Sequence, residues 1–550
     1  MLRALQGLTI CAGAYLAAVI SCGGLSFTLG PWTVSSERIA NPSYAYLLLL
    51  FVLAWCVRKT PPPDAAAQEA LCCEKRSWRT LLLAWILLVV PLALLTWGRS
   101  IEGGFIREDY QHVRWVRDGA PFNGEPRFEP AWGTRFARFF PLMLSSFNWH
   151  TAGLNPVPWH LTTLTLHCLV ALLCGAFTLV IFGSTGQAVL ACTLFAIHPL
   201  AVEVACWIVT RDGILVAICT LASVLLLIGA IRRRSSAMHL GSVSVFGISM
   251  FCKESGLCVP AGIPLIAWLA EPEAGIWAAI RRSIPHWGAL CLYVVFQNAM
   301  GAQWHPGGMW SVAKLLLLPM AAAGPLAFPV NVVAIGDLAS VARVVAAATL
   351  CLLMPLCLLH WRCLTDRRVV AVFGWMLVLA LPVHSMIQFS ATMQCGRYLY
   401  LANTAFCALV AHLIFTTCRA AFPGAASGRR IVCVSLLVAG VYFGLARVNA
   451  ESWVAAGAFS RRLASDLSAL VVPLREGKTV RVRGLPEQYR GAYILYCISI
   501  SWPLDAHYNL TQTQLSRLVE PYHPDWRVPP VEAGEVEFVW TIDRGFVRVR

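Results

Sequence analysis

Long apolar runs separated by short polar loops recur from the first residues to about position 447. A helix that crosses a bilayer needs about 20 apolar residues, fewer where it is kinked or paired with a neighbour. The pattern therefore predicts about thirteen spans, at 4–24, 43–57, 80–97, 159–182, 187–206, 211–230, 238–252, 257–270, 285–301, 340–360, 369–387, 398–417 and 431–447. The seventh and eighth are short and together could form one bent helical hairpin. The first carries Ser, Gly and Thr toward its C-terminal end without a clear cleavage site, which reads as a retained anchor. Beyond 450 the pattern changes: residues 451–470 have helical spacing, whereas 478–484, 536–550 and part of 493–501 alternate as strands do. The expected fold is an α-helical polytopic membrane domain over 1–448, followed by a small extramembrane α/β domain over 449–550.

Two loops are long. Loop 98–158 contains Arg135, Phe136, Phe139, Phe140, Leu142 and Leu144, a basic and aromatic amphipathic stretch suited to a helix lying in the membrane interface. Loop 302–339 mixes Trp304, His305 and Trp310 with an apolar segment. No repeat of 20–50 residues is present, which excludes a solenoid tail.

Composition narrows the class. Of 550 residues 58% are hydrophobic and 13% charged, where soluble domains carry roughly a quarter charged. A soluble multidomain enzyme and a disordered chain are both excluded. The formal net charge of +15 lies almost wholly in the membrane part, because residues 450–550 hold 12 Lys/Arg against 11 Asp/Glu. A nucleic-acid partner is not expected, since that charge is scattered over short loops rather than gathered in one patch. Arg58, Lys59, Lys75, Arg76, Arg79, Arg232, Arg233, Arg234, Arg281, Arg282, Arg362, Arg367, Arg368, Arg419, Arg429 and Arg430 all fall in loops on the N-terminal side. The positive-inside rule makes that side cytoplasmic, and puts loop 98–158 and the tail outside. The 21 cysteines sit mostly within apolar runs, as small hydrophobes do, and imply no disulfide framework.

Ionisable groups near a membrane are costly to bury and usually have a task. Glu108, Asp109 and His112 follow the third span. His198 and Glu203 end the fifth, and Arg211 and Asp212 open the sixth. Lys253 and Glu254 lie between the seventh and eighth, His305 is in an outer loop, and His384, Gln388 and Arg397 bracket the eleventh and twelfth. All are expected on one side of the bilayer, where a shared polar site would form. A carboxylate of the pair Glu108–Asp109 could take the proton of an attacking hydroxyl. Arg211, Lys253 and Arg397 have the chemistry of phosphate ligands; the plainer reading of each is snorkelling to headgroups.

Four stretches carry a family resemblance: GLNPVPWHLTTLTLHCLV at 153–170, FAIHPLAVEVACWIVTRDGILVA at 195–217, CKESG at 252–256 and RYLYL at 397–401. In sequence and order they resemble the transmembrane O-mannosyltransferases with tetratricopeptide tails and their bacterial relatives, members of the GT-C superfamily. The resemblance implies a membrane-helix bundle and a catalytic acid in the first outer loop, Asp109 or Glu108. It implies a lipid-linked sugar donor, typically mannose on a polyprenyl phosphate, and inversion at the anomeric carbon. The acceptor would be a protein, glycan or lipid hydroxyl. His198, Glu203, Arg211, Lys253, Glu254, Arg397, Tyr398 and Tyr400 fall on family positions. A divalent metal is compatible with this chemistry, although no ligand set is implied. This chain departs at Thr163, Thr210, Cys395 and Gly396, and it lacks the repeats. Relatives without repeats are bacterial, which points to an inner membrane with a periplasmic site. A transporter or flippase, or an inactive scaffold with a binding tail, is the alternative.

Overall fold

The computed structural model describes residues 25–29, 32–36, 74–120, 138–299, 318–327, 329, 331, 366–381, 396–421, 426–485, 488–495, 500–519, 535–541 and 543–549. The expected spans 4–24, 43–57 and 340–360 lie outside these residues, as do His305, His384 and Gln388. A hairpin of β1 (Leu25–Leu29) and β2 (Trp32–Ser36) precedes the helices. The first described span joins α1 (Glu74–Ala84), a π-helical turn at Trp85–Val89 and α2 (Val90–Trp97), and ends in a 3-10 turn at Gly98–Glu102. Outside it come α3 (Asp109–Arg117) and α4 (Phe139–Ala152). Then follow α5 (Pro156–Phe182), α6 (Thr185–Ala196), α7 (Val202–Cys206), α8 (Arg211–Arg233), α9 (Ser236–Met250), α10 (Val259–Ala270), α11 (Gly275–Ala299), α12 (Leu318–Ala327), α13 (Arg367–Ala380) and α14 (Tyr400–Ala421).

Among the described residues five helices are long and apolar enough to cross a membrane, and seven if two bent pairs each count as one span. The protein is therefore a multi-pass integral membrane protein. One bent pair breaks by 43° between Ala196 and Pro199, inside the predicted fifth span. The other turns by 110° between Ala270 and Pro272. The sharp bend thus follows the eighth predicted span instead of joining it to the seventh, and the helix after it starts ten residues earlier than the apolar run, at Gly275.

Local sequence explains where the helices stop. Asn155 caps α5 by accepting from Val157 N, with Pro156 at the first helical position. At the other end Gly183 takes φ +73°, which only glycine adopts without strain, and Ser184 caps α6 at once. Breaks within the membrane are satisfied by side chains. The carbonyl of Ala196, freed where α6 ends, accepts from Trp97 Nε1 at 2.8 Å and from His167 Nε2 at 3.0 Å. Because Nε2 donates, His167 Nδ1 accepts from the Tyr400 hydroxyl at 2.8 Å. Four segments are pinned by this one network.

A 41-residue helix, α15 (Ala426–Asp466), continues from the last predicted span across position 448 into the tail. There α16 (Ser468–Arg475) follows, then β3 (Val480–Arg483), the small hairpin β4 (Gln488–Tyr489) and β5 (Ala492–Tyr493), α17 (Ser501–Tyr508), α18 (Gln512–Leu515), β6 (Leu518–Val519), β7 (Val536–Thr541) and β8 (Gly545–Arg548). The sheet order is β6-β3-β7-β8, with β3 parallel to β6 and β7 and with β8 antiparallel to β7. The strands expected at 478–484 and 536–550 are present. Among the described residues of 493–501, a strand ends at Tyr493 and a helix starts at Ser501, where Pro503 sits at a tolerated early helical position.

α10 and α13 approach at Gly262, where an added Cβ would lie 2.2 Å from the fully buried Trp375 ring. Gly262→Ala is expected to lower stability by about 1–3 kcal/mol through overpacking, read as a lower midpoint of thermal unfolding in detergent. Gly247→Ala, with open space around it, is the control and should leave the midpoint nearly unchanged.

Candidate functional site

The two breaks in the chain between α6 and α8 build the site. Glu203 on α7 is 1% exposed, and its carboxylate accepts from the backbone N of Arg397 at 2.9 Å and from Arg397 Nη1 at 3.0 Å. Gly396 makes that approach feasible, since a Cβ there would lie 3.3 Å from the Leu200 carbonyl. The Arg397 guanidinium lies 5.1 Å from the Trp207 ring and 4.7 Å from the Tyr398 ring. The Lys253 ammonium shares Tyr398, at 5.9 Å from its ring, and pairs with Asp212 Oδ1 at 3.2 Å. Arg138, at the head of α4, lies 3.6 Å from Asp212 and 3.7 Å from Glu254. On the other side of Arg397, Trp207 also lies 5.4 Å from the Arg107 guanidinium, which meets Tyr493 at 4.5 Å and pairs with Glu108 at 3.0 Å.

One continuous chain of contacts therefore joins Glu254, Arg138, Asp212, Lys253, Tyr398, Arg397, Glu203, Trp207, Arg107 and Glu108. Lys253, Arg397 and Arg107 keep 11–15% of their side chains exposed. Cations partly open to solvent and framed by aromatic faces suit an anionic ligand, because a low-dielectric wall strengthens the attraction.

Asp109 is 1% exposed and opens α3. Its Oδ2 accepts from Ile106 N at 3.0 Å and its Oδ1 from Val209 N at 2.8 Å, so the carboxylate ties the start of α3 to the second break. Burial is the largest influence on its carboxyl and raises the pKa to about 8, with a smaller rise from Glu108. The two amide bonds and Arg211 pull the other way. Burial also dominates at His112, lowering it to about 3 with help from Arg138 and Arg211, so its ring is neutral.

Arg211 occupies a different position from Lys253 and Arg397. It is 1% exposed, and it donates from Nε to the Ile208 carbonyl at 3.0 Å, from Nη2 to Ser145 Oγ at 3.0 Å and from Nη1 to Asn148 Oδ1. Its guanidinium lies 5.1 Å from the Trp159 ring. It thus fastens α4 to the start of α8. His198 is also held within the fold: its Nδ1 accepts from Leu200 N at 3.3 Å, and Tyr442 and Phe406 meet its ring edge-on. Tyr400 belongs to the His167 network. The departures Thr163 and Thr210 turn their hydroxyls back onto preceding carbonyls, those of Trp159 in α5 and of Trp207 in the break. Among the described residues no three of His, Cys, Asp and Glu converge as metal ligands.

Arg107, Arg138, Trp207 and Tyr493 complete the cluster without having been singled out from sequence. Trp207 lies within the stretch 195–217, and Arg107 immediately precedes the acidic pair. Arg107 and Arg138 also adopt positive φ, 46° and 69°. That conformation is costly for a residue with a side chain and tends to persist where surrounding structure enforces it.

Breaking the Glu203–Arg397 pair should be expensive, because a buried charge without its partner costs about 3–5 kcal/mol. Glu203→Ala is expected to lower the unfolding midpoint strongly. Glu203→Gln, which still offers an oxygen to Arg397 N, should lower it less. Equal midpoints for both variants would show that the ion pair is not what holds the 396–399 turn.

No family model matches the chain. Human protein O-mannosyl-transferase TMTC1 is 31% identical over 140 residues, covering 23% of this chain and 16% of that protein. Mouse TMTC4, described by the same activity, is 26% identical over 232 residues, covering 36% of this chain and 31% of that protein. The chain thus spans less than a third of the length of these curated relatives. Among solved structures, the Archaeoglobus fulgidus oligosaccharyltransferase superposes with a TM-score of 0.46 at 12% identity, covering 81% of this chain and 62% of that one. ArnT from Cupriavidus metallidurans gives 0.45 at 12% identity, covering 84% and 93%. Those superpositions are too loose to carry a correspondence between residues. Over about a quarter to a third of its length, this multi-pass membrane protein is similar in sequence to protein O-mannosyl-transferases.

Proposed function

We propose that the protein is an inverting glycosyltransferase that moves a sugar, mannose or another hexose or pentose, from a polyprenyl phosphate to a hydroxyl of a protein, glycan or lipid. The observation that carries this reading is the pairing of Lys253 and Arg397 around Tyr398, with the buried Asp109 tied to the same broken segment. A departing polyprenyl phosphate needs its negative charge met, which Lys253 and Arg397 supply as a point charge and a fork of donors. Arg211 contributes positive charge from within the wall, where its nitrogens already have protein partners. Asp109 is the proposed general base, with Glu108 as the alternative in the same dipeptide. Direct attack of the activated hydroxyl on the anomeric carbon gives inversion and needs no carboxylate nucleophile. The proposed topology has the full set of thirteen spans, with the site and the tail on the outer, periplasmic face of a bacterial inner membrane. The basic loops on the opposite side support that orientation.

Asp109→Asn is expected to lower turnover by roughly 10²–10⁴ with donor binding little changed; Glu108→Gln tests the alternative. Near-normal transfer by both variants, or retained anomeric configuration in the product, would reject the assignment. The pH profile gives a second reading. The charge-free form of Asp109 predominates below a pKa of about 8, so kcat/KM should climb as pH rises through about 8 and then level off. Transfer that is flat between pH 6 and 9 would contradict a base with this environment. The same shift acts on stability: the folded state holds the extra proton between the unfolded value of 3.8 and about 8. Asp109 therefore favours folding below that window and loses its contribution as pH rises across it. Asp109→Asn should flatten this part of the stability profile.

A further inference from the structure

The segment carrying Asp109 is held from outside the membrane bundle. Gly104 N donates to the Gly457 carbonyl at 3.2 Å, and a Cβ on Gly457 would lie 2.8 Å from Gly103 Cα. Ser460 Oγ donates to the Phe105 carbonyl and accepts from the Tyr110 hydroxyl at 3.3 Å. Arg107 N donates to the Ile494 carbonyl at 2.9 Å. These contacts fix the entry to α3. At its exit, Asp505 of α17 is 4% exposed and meets two guanidiniums. Its Oδ2 pairs with Arg114 Nε, its Oδ1 with Arg117 Nη2 at 3.1 Å, and its own carbonyl accepts from Arg117 Nη1 at 2.7 Å.

A nine-residue helix is too short to persist alone in water. Its apolar face, Tyr110, Val113 and Val116, is covered in part by Ala506 of α17 and by Trp159. General adhesion between a tail and a membrane domain would need only that apolar contact. A buried carboxylate shared by two arginines adds direction, since charge-assisted bonds with forked donors fix orientation as well as distance. Removing its charge would take that carboxylate from Arg114 and leave Arg117 with the more exposed Asp118, at 3.1 Å from its Nε.

We infer that Asp505 is a positioning residue which, through Arg114 and Arg117, fixes α3 and with it the place and burial of Asp109. The tail is on this account part of the catalytic machinery's frame, whatever else it recognises. The inference rests on the reading of Asp109 as the base. Its mechanical half does not, and that separates the two in a test.

The experiment uses the full chain in detergent or nanodiscs and compares Asp505→Asn and Asp505→Glu with the unaltered protein. Hydrogen exchange is followed in peptides from 105–118, with peptides from 156–182 and 400–421 as controls for folding. Exchange across 105–118 should quicken by roughly tenfold or more in Asp505→Asn while the control peptides hold. With a polyprenyl-phosphate sugar donor, kcat should fall by roughly 10–100-fold at a donor KM within about twofold, because a displaced catalytic group costs rate and not ground-state binding. The rising limb of the pH profile should move down as Asp109 loses its cover; Arg211 and Glu108 are the charged groups that face it and are unaltered in these variants. Asp505→Glu should restore part of kcat. Unchanged exchange in 105–118 overturns the clamp, whatever the reaction is. Quickened exchange with an unaltered kcat and pH limb overturns the link to Asp109. In that case the Asp109→Asn result shows separately whether the base assignment has itself failed.

Discussion

Backbone groups inside a membrane have no water to bond, so every helix break there must find its partners within the protein. The stretch from Ala196 to Arg211 breaks twice, and the rest of the architecture is arranged around satisfying it. Trp97 and His167 take the Ala196 carbonyl. Asp109 takes the Val209 amide, Arg211 the Ile208 carbonyl and Thr210 the Trp207 carbonyl. Trp97, His167 and Asp109 come from α2, α5 and α3, so the breaks draw these elements to one place, and Arg211 adds α4 through Ser145 and Asn148. Glu203 within the same stretch then orients Arg397 by holding both its amide and its guanidinium. A cluster of polar and charged groups beside the apolar helices is the result.

The same economy gives charged groups two kinds of task. Arg211 and Glu203 are almost fully enclosed and hold other groups in place. Lys253, Arg397 and Arg107 each have a protein carboxylate nearby, a framing aromatic ring and some solvent access. Such cations can exchange part of their pairing for an incoming anion without leaving a buried charge alone. Asp109 combines both tasks, since its carboxylate accepts two backbone bonds while burial keeps its proton affinity high.

The main helices were legible from apolar run length, because the bilayer requirement acts on each run separately. Runs at 159–182 and 211–230 fall within helices Pro156–Phe182 and Arg211–Arg233, and the run at 398–417 within the span Gly396–Ala421. The bend at 270–272 was not legible, because Glu271, Pro272 and Glu273 open a polar gap that reads as any loop. Motif stretches singled out Glu203, Lys253 and Arg397, which the fold brings together around Tyr398. They could not separate Tyr398 from Tyr400: two residues apart at a helix start, these side chains point in different directions, one to the cations and the other into the His167 network. Asp505 and Tyr493 were invisible because their partners lie hundreds of residues away in the chain and no local pattern records such a pairing.

A structure of the full chain with a polyprenyl phosphate bound would test the account most directly. The account predicts the phosphate oxygens within about 3 Å of Lys253 Nζ and the Arg397 guanidinium, beside Tyr398 and on the Asp109 side of the bundle. A phosphate seated elsewhere, with Lys253 still paired to Asp212 and Arg397 to Glu203 and neither touching it, would contradict it.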